Sequence, residues 1–194
     1  VLLCPNHSSY LDPAFVQMCV RRRLVFVMTE NFYQLRRWRW FFRLVGAVSI
    51  GRGRRARQGL RRAMALVRRG HAIVVFPEGR LTEDGRLNRG QRGVGRLARL
   101  LDAPVIPVGI AGARNAWGKG QARPGRARVR VAFGRPLRWQ DAHPDNPRAS
   151  EQAFVDEVMV AIAHTKAWVE SHAPDSRDVG AAADALQEAQ TSGR

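Results

Sequence analysis

Short apolar runs alternate with amphipathic segments along most of this 194-residue chain. Residues 72–76 form an uninterrupted apolar run, which is typical of a strand whose sheet is covered on both faces. Residues 54–69 carry apolar side chains at helical spacing and are followed by Gly70, a common helix stop. Strands that alternate with helices in this way predict an α/β fold with a mostly parallel central sheet flanked by helices.

The same patterns predict the remaining elements. Asp12 followed by Pro13 indicates a helix start with the acid as N-cap. Alternating side chains around residues 129–133 indicate a strand near the edge of the sheet. Further strands are expected at residues 1–5, 25–28, 45–50 and 105–110, and further helices at residues 32–44, 94–101 and 150–171.

Length and composition favour a single domain. The chain is 45% hydrophobic and long enough to bury one core without cross-links. We expect one globular domain over residues 1–171 and a flexible polar tail over residues 172–194, where Ala, Asp, Gln, Ser and Gly dominate. Because Val1 already lies in an apolar run, we also expect that upstream sequence has been removed.

The net charge of +17 comes almost entirely from arginine. Such a surface attracts nucleic acid, anionic lipid or an acidic protein, and charge alone does not choose among them. Residues 36–43 mix arginines with aromatic rings, as expected of an element in the headgroup layer, although the rings could equally belong to the core. The arginines are scattered over several elements without a recognition motif, so we expect no nucleic-acid partner.

The cysteines and acidic residues form no metal-ligand pattern. Cys4 and Cys19 are the only cysteines, and no His, Asp or Cys cluster has ligand spacing, so we expect no metal. Two thiols suggest a reducing compartment, with a single disulfide as the alternative.

His7 and Asp12 are the first candidates for chemistry. His7 follows an apolar strand and precedes a helix, which places it at the carboxyl end of a sheet strand, where α/β proteins bind ligands. A carboxylate five positions on could orient the imidazole for proton abstraction from a hydroxyl. Alone, the same spacing also fits a helix cap beside a loop histidine. Neighbouring Ser8 and Ser9 lack the glycine elbow of a nucleophilic serine, so we expect turn or capping roles for them.

Two glycine turns carry arginines suited to phosphate. The sequence Glu78-Gly79-Arg80 leaves the apolar strand at a glycine that permits a sharp turn. A guanidinium emerging there can donate to two phosphate oxygens at once. Gly51-Arg52-Gly53 offers a second such position before a helix N-terminus.

Four segments together resemble, in order and spacing, the glycerolipid acyltransferases, of which the 1-acylglycerol-3-phosphate acyltransferases are the best-known members. The segments are residues 6–12, residues 46–52, Phe76-Pro77-Glu78-Gly79 and residues 105–108, and the resemblance spans residues 2–135.

The resemblance implies transfer of a fatty acyl group from acyl-CoA or acyl-carrier protein to a lysophospholipid hydroxyl, with lysophosphatidic acid the expected acceptor. His7 would be the general base and Asp12 its partner. The acceptor's phosphate site would be shaped by Arg52, Glu78, Gly79 and Arg80. The co-substrate thioester would be the only cofactor-like group, and the protein would lie at the cytoplasmic face of the cell membrane, peripherally or through an N-terminal segment.

Three departures from the family pattern leave the acceptor headgroup open. The usual third segment has arginine two positions after the glycine, whereas here Arg80 follows Gly79 directly and Leu81 comes next. Gly51 and Thr29 stand where an aspartate and a lysine are common. The form found here resembles acyltransferases that remodel lysophosphatidylethanolamine. Outside this family, the alternative is a basic module that binds nucleic acid or a membrane surface.

Overall fold

The computed structural model describes residues 1–29, 48–50, 54–139 and 146–172. Its strands are β1 (Leu2–Pro5), β2 (Leu24–Thr29), β3 (Val48–Ile50), β4 (Ala72–Val75), β5 (Val105–Ala111) and β6 (Arg130–Phe133). Its helices are α1 (Asp12–Met18), α2 (Arg54–Arg68), α3 (Arg92–Leu101), α4 (Ala113–Trp117) and α5 (Pro147–Ser171). The helix expected at residues 32–44, the arginine-aromatic segment 36–43, Arg52 and the tail from residue 173 lie outside the described residues.

The strands form one six-stranded sheet in the order β3-β2-β4-β1-β5-β6. The first five are mutually parallel, and β6 pairs antiparallel with β5 at the edge. The predicted α/β fold with a mostly parallel sheet is therefore confirmed, and so is the edge position of the alternating strand.

Both faces of the sheet are covered. In β1, Leu2 and Cys4 pack with α2, α3 and α5, while Leu3 packs into a second cluster on the side of α1. On α5, the side chains of Phe154, Val158 and Ile162 face the sheet and are all 0% exposed. Two buried faces explain why the central strands read as continuous apolar runs rather than as alternating ones.

Two helix boundaries test the sequence signals. Helix α2 ends as predicted at Gly70, which has φ +80°. The amides of Gly70 and His71 donate back to the carbonyls of Val67 and Leu66, the pattern of a Schellman motif. At the start of α1 the predicted N-cap is wrong by one residue, because Leu11 is the N-cap and Asp12 is already helical. The carboxylate of Asp12 turns back over the preceding loop instead of capping the helix.

The described residues settle two smaller points. Cys4 is buried, Cys19 is exposed, and both are free thiols, so the disulfide alternative is not realised. Within the same residues, no helix is both long and apolar enough to cross a bilayer.

Candidate active site

The candidate residues gather at the carboxyl edge of the parallel sheet. Strands β1, β4 and β5 are neighbours in the sheet, and their carboxyl ends lead into the loops that carry His7, Glu78 and α4. This edge is where open α/β sheets bind their ligands. Residues separated by about seventy positions in sequence therefore lie side by side because three strands end together.

Asn6 fixes the exit of the chain from β1. Its side-chain amide donates to the carbonyl of Ile110 at 3.0 Å and accepts from the amide of Ile110 at 2.7 Å. Its own backbone amide donates to Val108 at 3.3 Å. The side chain thus continues the β1–β5 hydrogen bonding beyond Pro5, while the main chain is released into the His7 loop.

The side chains of His7 and Asp12 meet, as their spacing predicts. His7 Nδ1 lies 3.0 Å from Asp12 Oδ2, and the His7 ring stacks on Phe76 with centroids 4.0 Å apart. The same Oδ2 accepts the backbone amides of Ser8 at 2.7 Å and Ser9 at 2.8 Å. Because this carboxylate oxygen accepts from the ring, a neutral His7 imidazole bonded to it carries its proton on Nδ1 and has its free lone pair on Nε2.

The Asp12 carboxylate is enclosed by protein, whereas His7 reaches solvent. The side chain of Asp12 is 0% exposed and that of His7 is 16% exposed. Asp12 Oδ1 has no hydrogen-bond partner among the described residues. Burial protects the pair from competition by water and leaves the imidazole accessible from the sheet edge.

The backbone of His7 is held on both sides by the loop that follows β4. Its amide donates to Glu78 Oε1 at 2.8 Å, and its carbonyl accepts from the amide of Thr82 at 2.9 Å. Glu78 is 1% exposed, so its carboxylate bonds to protein groups and not to solvent. The Phe76-Pro77-Glu78-Gly79 segment therefore orients the His7 loop directly.

Helix α4 holds the other end of the His7 loop. The carbonyl of Trp117 accepts from the backbone amide of Tyr10 at 3.0 Å and from the Ser9 hydroxyl at 3.0 Å. The Ser9 oxygen in turn accepts the amide of Leu11 at 3.2 Å. These bonds agree with the turn role expected of Ser9, and they fix the loop against β5, α4 and the loop after β4 together.

Arg80 is connected to this framework through Asn88. Glu78 Oε2 accepts the Asn88 backbone amide at 2.8 Å and its side-chain Nδ2 at 2.9 Å. Asn88 Oδ1 then accepts from Arg80 Nη2 at 3.2 Å. The Arg80 side chain is otherwise exposed, so a guanidinium open to ligands stands at the end of a hydrogen-bonded path from His7.

The turn at Gly79 has the backbone that only glycine adopts readily. Gly79 has φ +67°, and a Cβ there would lie 3.2 Å from Gln91 Cγ. The structure thus brings together His7, Asp12, Glu78, Gly79 and Arg80, while the predicted Arg52 lies outside the described residues. Within the parts described, no three His, Cys, Asp or Glu side chains are placed to hold a metal ion.

Sequence reasoning missed Asn88 and the part played by Asn6 and α4. Asn88 lies ten positions after Glu78 in an irregular loop, where no periodicity marks it. Asn6 stood in a recognised segment, but its partner is 104 positions away. Only the strand pairing shows which residues such side chains reach.

The arrangement suits proton abstraction next to an anion. An imidazole with a free Nε2, backed by a buried carboxylate, can take a proton from a substrate hydroxyl. An exposed guanidinium on the same edge can bind phosphate with two donors. Together they fit activation of an alcohol that also carries a phosphate.

Comparison with known proteins gives one family match and several similar sequences. A family model described as Acyltransferase matches residues 1–111. The 1-acyl-sn-glycerol-3-phosphate acyltransferase BAT2, chloroplastic, of Brassica napus is 28% identical over 109 residues, covering 55% of this chain and 31% of that protein. A 1-acyl-sn-glycerol-3-phosphate acyltransferase of Limnanthes douglasii is 26% identical over 139 residues, covering 70% of this chain and 50% of that protein.

The fold also has a counterpart among solved structures. The 1-acyl-sn-glycerophosphate (LPA) acyltransferase PlsC from Thermotoga maritima matches with a TM-score of 0.68 and 21% identity. The match covers 90% of this chain and 68% of that one. At this identity the likeness establishes the shared fold. Since this chain spans only 31% and 50% of the two plant proteins, it corresponds to a part of their length.

Proposed function

The chain belongs to the acyltransferase family, and from this premise we propose that it acylates 1-acylglycerol 3-phosphate to give phosphatidic acid. The acyl group would come from acyl-CoA or acyl-carrier protein. The observation that carries the proposal is the 3.0 Å contact between His7 Nδ1 and the buried Asp12 Oδ2. It leaves Nε2 as a base at the sheet edge.

In the proposed reaction, His7 Nε2 removes the proton from the acceptor's free hydroxyl. The resulting oxygen nucleophile attacks the thioester carbonyl, so that a C–O bond forms and, on collapse of the intermediate, the C–S bond breaks. The departing thiolate takes the proton from the His7 imidazolium. Asp12 stays ionised and stabilises the imidazolium, and base assistance of this kind contributes about 10²–10⁴-fold.

The acceptor's phosphate would be bound by Arg80, with Gly79 supplying the turn and Glu78 holding the turn against His7. We propose that Arg52 completes this site. Because the hydroxyl attacks directly, the scheme uses no covalent acyl-enzyme, metal or cofactor beyond the thioester. Because the acceptor is amphiphilic, we also propose that the protein works at a membrane surface, on the cytoplasmic face.

A second acceptor is favoured by one observation at the same turn. Where the family pattern usually has an arginine, Leu81 is 6% exposed and packed inside the protein. Arg80 is then the only cation of this turn, which suits a phosphodiester with a single negative charge. Lysophosphatidylethanolamine is such an acceptor and keeps the same mechanism.

An acyl-transfer assay with the full chain tests both candidates. Long-chain acyl-CoA and acyl-carrier protein are each offered with lysophosphatidic acid, lysophosphatidylethanolamine and a monoacylglycerol. We expect product with lysophosphatidic acid that is lost in His7→Ala and kept in His164→Ala, a control on the exposed face of α5. Activity confined to lysophosphatidylethanolamine would identify that lipid as the acceptor. Undiminished activity in His7→Ala would refute the mechanism.

A further inference from the structure

The side chain of Arg80 is exposed, yet one hydrogen bond restrains its guanidinium. Its Nη2 donates to Asn88 Oδ1 at 3.2 Å. Among the described residues no carboxylate lies within ion-pair distance of it, although its charge adds to that of Lys119 in lowering the pKa of Glu83. A free arginine side chain samples many rotamers, and ordering it on a ligand costs conformational entropy. A neutral amide partner restrains the guanidinium without neutralising its charge.

The orientation of the Asn88 amide is determined by Glu78. Asn88 Nδ2 lies 2.9 Å from Glu78 Oε2, a carboxylate oxygen that can only accept. The flipped amide would place two acceptor oxygens against each other. Asn88 Oδ1 must therefore face away from Glu78, and this is the direction in which Arg80 lies.

The other carboxylate oxygen of Glu78 bonds to the backbone of His7, the proposed base. Glu78 Oε1 accepts the His7 amide at 2.8 Å, so His7, Glu78, Asn88 and Arg80 form one continuous path. Arginine has five N–H donors, and Asn88 occupies one of them. Among the residues that the structure describes, the remaining donors form no hydrogen bond and can receive a phosphate.

We propose that Asn88 is the residue that positions Arg80 for the acceptor's phosphate. The proposal rests on the proposed function for the identity of the ligand. Asn88 touches no reacting atom in this scheme. It acts through Arg80, so that a phosphate monoester is bound where its neighbouring hydroxyl reaches His7.

The backbone of Asn88 allows its side chain to be removed without releasing the base. Its amide also donates to Glu78 Oε2 at 2.8 Å, so Asn88→Ala keeps one of the two bonds to that carboxylate. The His7 loop should therefore stay in place. We expect Asn88→Ala to raise the KM for lysophosphatidic acid about 3–10-fold, the range of one hydrogen bond, with kcat changed less than about two-fold.

A double-mutant cycle with Arg80→Ala tests the proposal. The dissociation constant of glycerol 3-phosphate is measured by titration calorimetry on the full chain, and KM is measured beside it for lysophosphatidic acid and a monoacylglycerol. We expect Asn88→Ala to weaken glycerol 3-phosphate binding about 3–10-fold and Arg80→Ala to weaken it at least as much, with the double variant no worse than Arg80→Ala. The KM for the uncharged monoacylglycerol should not change in Asn88→Ala.

Asn115→Ala is the matched control, since Asn115 is an exposed asparagine of α4 at the same edge of the sheet. It should bind glycerol 3-phosphate like the parent chain. If Asn88→Ala does not fold, Asn88→Ser removes the same amide and carries the same expectations.

Several results would overturn the proposal. Independent losses that multiply in the double variant would show that Asn88 does not act through Arg80. If Asn88→Ala lowers the melting temperature or kcat but leaves the affinity for glycerol 3-phosphate unchanged, Asn88 has only a structural role. If the parent chain does not bind glycerol 3-phosphate, the proposed phosphate site does not exist. Because calorimetry needs no turnover, a parent chain that binds glycerol 3-phosphate but transfers no acyl group would refute the proposed function alone.

Discussion

A single carboxylate oxygen organises the His7 loop. Asp12 Oδ2 accepts from the His7 ring and from two backbone amides, all within 3.0 Å. Substitution by asparagine separates the charge of Asp12 from its hydrogen-bonding geometry, because the amide keeps one oxygen in the same position. The distinction decides whether Asp12 orients His7 or also stabilises the imidazolium.

Asp12→Asn should lower kcat by about 10²–10⁴-fold if the charge is required, since the imidazolium would lose its counter-ion. The amide oxygen can still accept from Ser8 and Ser9, so the melting temperature should fall by only a few degrees. Steady-state kinetics and thermal unfolding of the same preparations measure the two effects. Retention of full activity would show that only the hydrogen-bonding pattern matters.

The two cysteines should differ sharply in reactivity. Cys4 is 0% exposed in β1, and burial raises the pKa of its thiol, so it stays protonated and unreactive. Cys19 is exposed at the end of α1, where partial burial also raises the pKa of its thiol and slows its reaction without blocking access. A thiol-specific reagent at neutral pH should therefore modify one thiol per native chain and two after denaturation, and Cys19→Ser should leave none in the native state.

Cys4 also makes the stability of the fold depend on pH, and the burial of its thiol fixes the direction of that dependence. An unfolded thiol ionises at about pH 8.5, whereas Cys4 in the fold resists ionisation, so alkaline pH favours the unfolded chain. This contribution to stability is complete below the unfolded pKa and is lost as pH rises above it. Rapid modification of Cys4 at neutral pH in the native protein would contradict its burial.

At the scale of elements, α3 and α5 meet at a glycine. A Cβ on Gly95 of α3 would lie 2.1 Å from the carbonyl oxygen of Glu151 in α5. Nearby, the Glu151 carboxylate accepts from Arg99 Nη2 at 3.0 Å and Nε at 3.3 Å. The close approach of the two helix backbones thus sets the contact, and an ion pair with a buried carboxylate stabilises it.

Gly95→Ala should destabilise the protein by about 1–3 kcal/mol or more, because the methyl group forces the two helix backbones apart. Gly93→Ala is the control in the same helix, since nothing lies within 4 Å of its added Cβ. That variant should be neutral or stabilised by up to about 1 kcal/mol through helix propensity. Chemical denaturation of both variants measures the difference, and equal stabilities would contradict the close helix contact.

The elements that sequence could predict are those with a local cause. The apolar runs of β4 and β5 and the Gly70 stop of α2 depend on neighbouring residues only, and all three were confirmed. Helix α4 was not predicted, because its five residues follow directly on a strand and show no apolar period. The Asp12 cap was misassigned because its partners, Ser8 and Ser9, lie in the loop before the helix rather than in its first turn.

Within the candidate site, too, sequence could predict the local contacts but not those that cross the sheet. His7 and Asp12 are five positions apart, so a tight turn is enough to bring them together. The contacts of Asn6 with Ile110 and of Glu78 with His7 cross the sheet, and sequence alone gives no register for them. Asn88 lies in a loop held by side-chain bonds, for which no pattern exists.

At the scale of the whole molecule, a run of cations without acidic residues follows β5 at the edge that carries the candidate site. Residues 103–134 contain six arginines and lysines and no Asp or Glu. The connection from β5 to β6 runs along the site edge and exposes Arg123, Arg126 and Arg128, which enter none of the ion pairs found among the described residues. Lys119, in contrast, donates to Glu83 and so lowers the pKa of that carboxyl.

This distribution predicts orientation on an anionic surface. If the proposed acceptor is reached from a membrane, cations at the site edge should contribute more to vesicle binding than cations at the opposite edge. Each cation near such a surface is worth about 1 kcal/mol, so losing three, about 3 kcal/mol together, should weaken binding by about 100-fold. The variant Arg123→Gln/Arg126→Gln/Arg128→Gln tests the site edge in sedimentation with phosphatidylglycerol vesicles at physiological salt.

The chain offers a control with the same change in charge. Arg21 and Arg23 precede β2, and Arg68 ends α2, so all three are exposed at the amino edge of the sheet. Their triple change to glutamine should reduce vesicle binding much less than the change at the site edge. Equal losses would mean that the net charge of +17 attracts the vesicle without orienting the protein. A larger loss at the site edge means that the cations of the β5–β6 connection set the orientation in which the protein meets the acceptor.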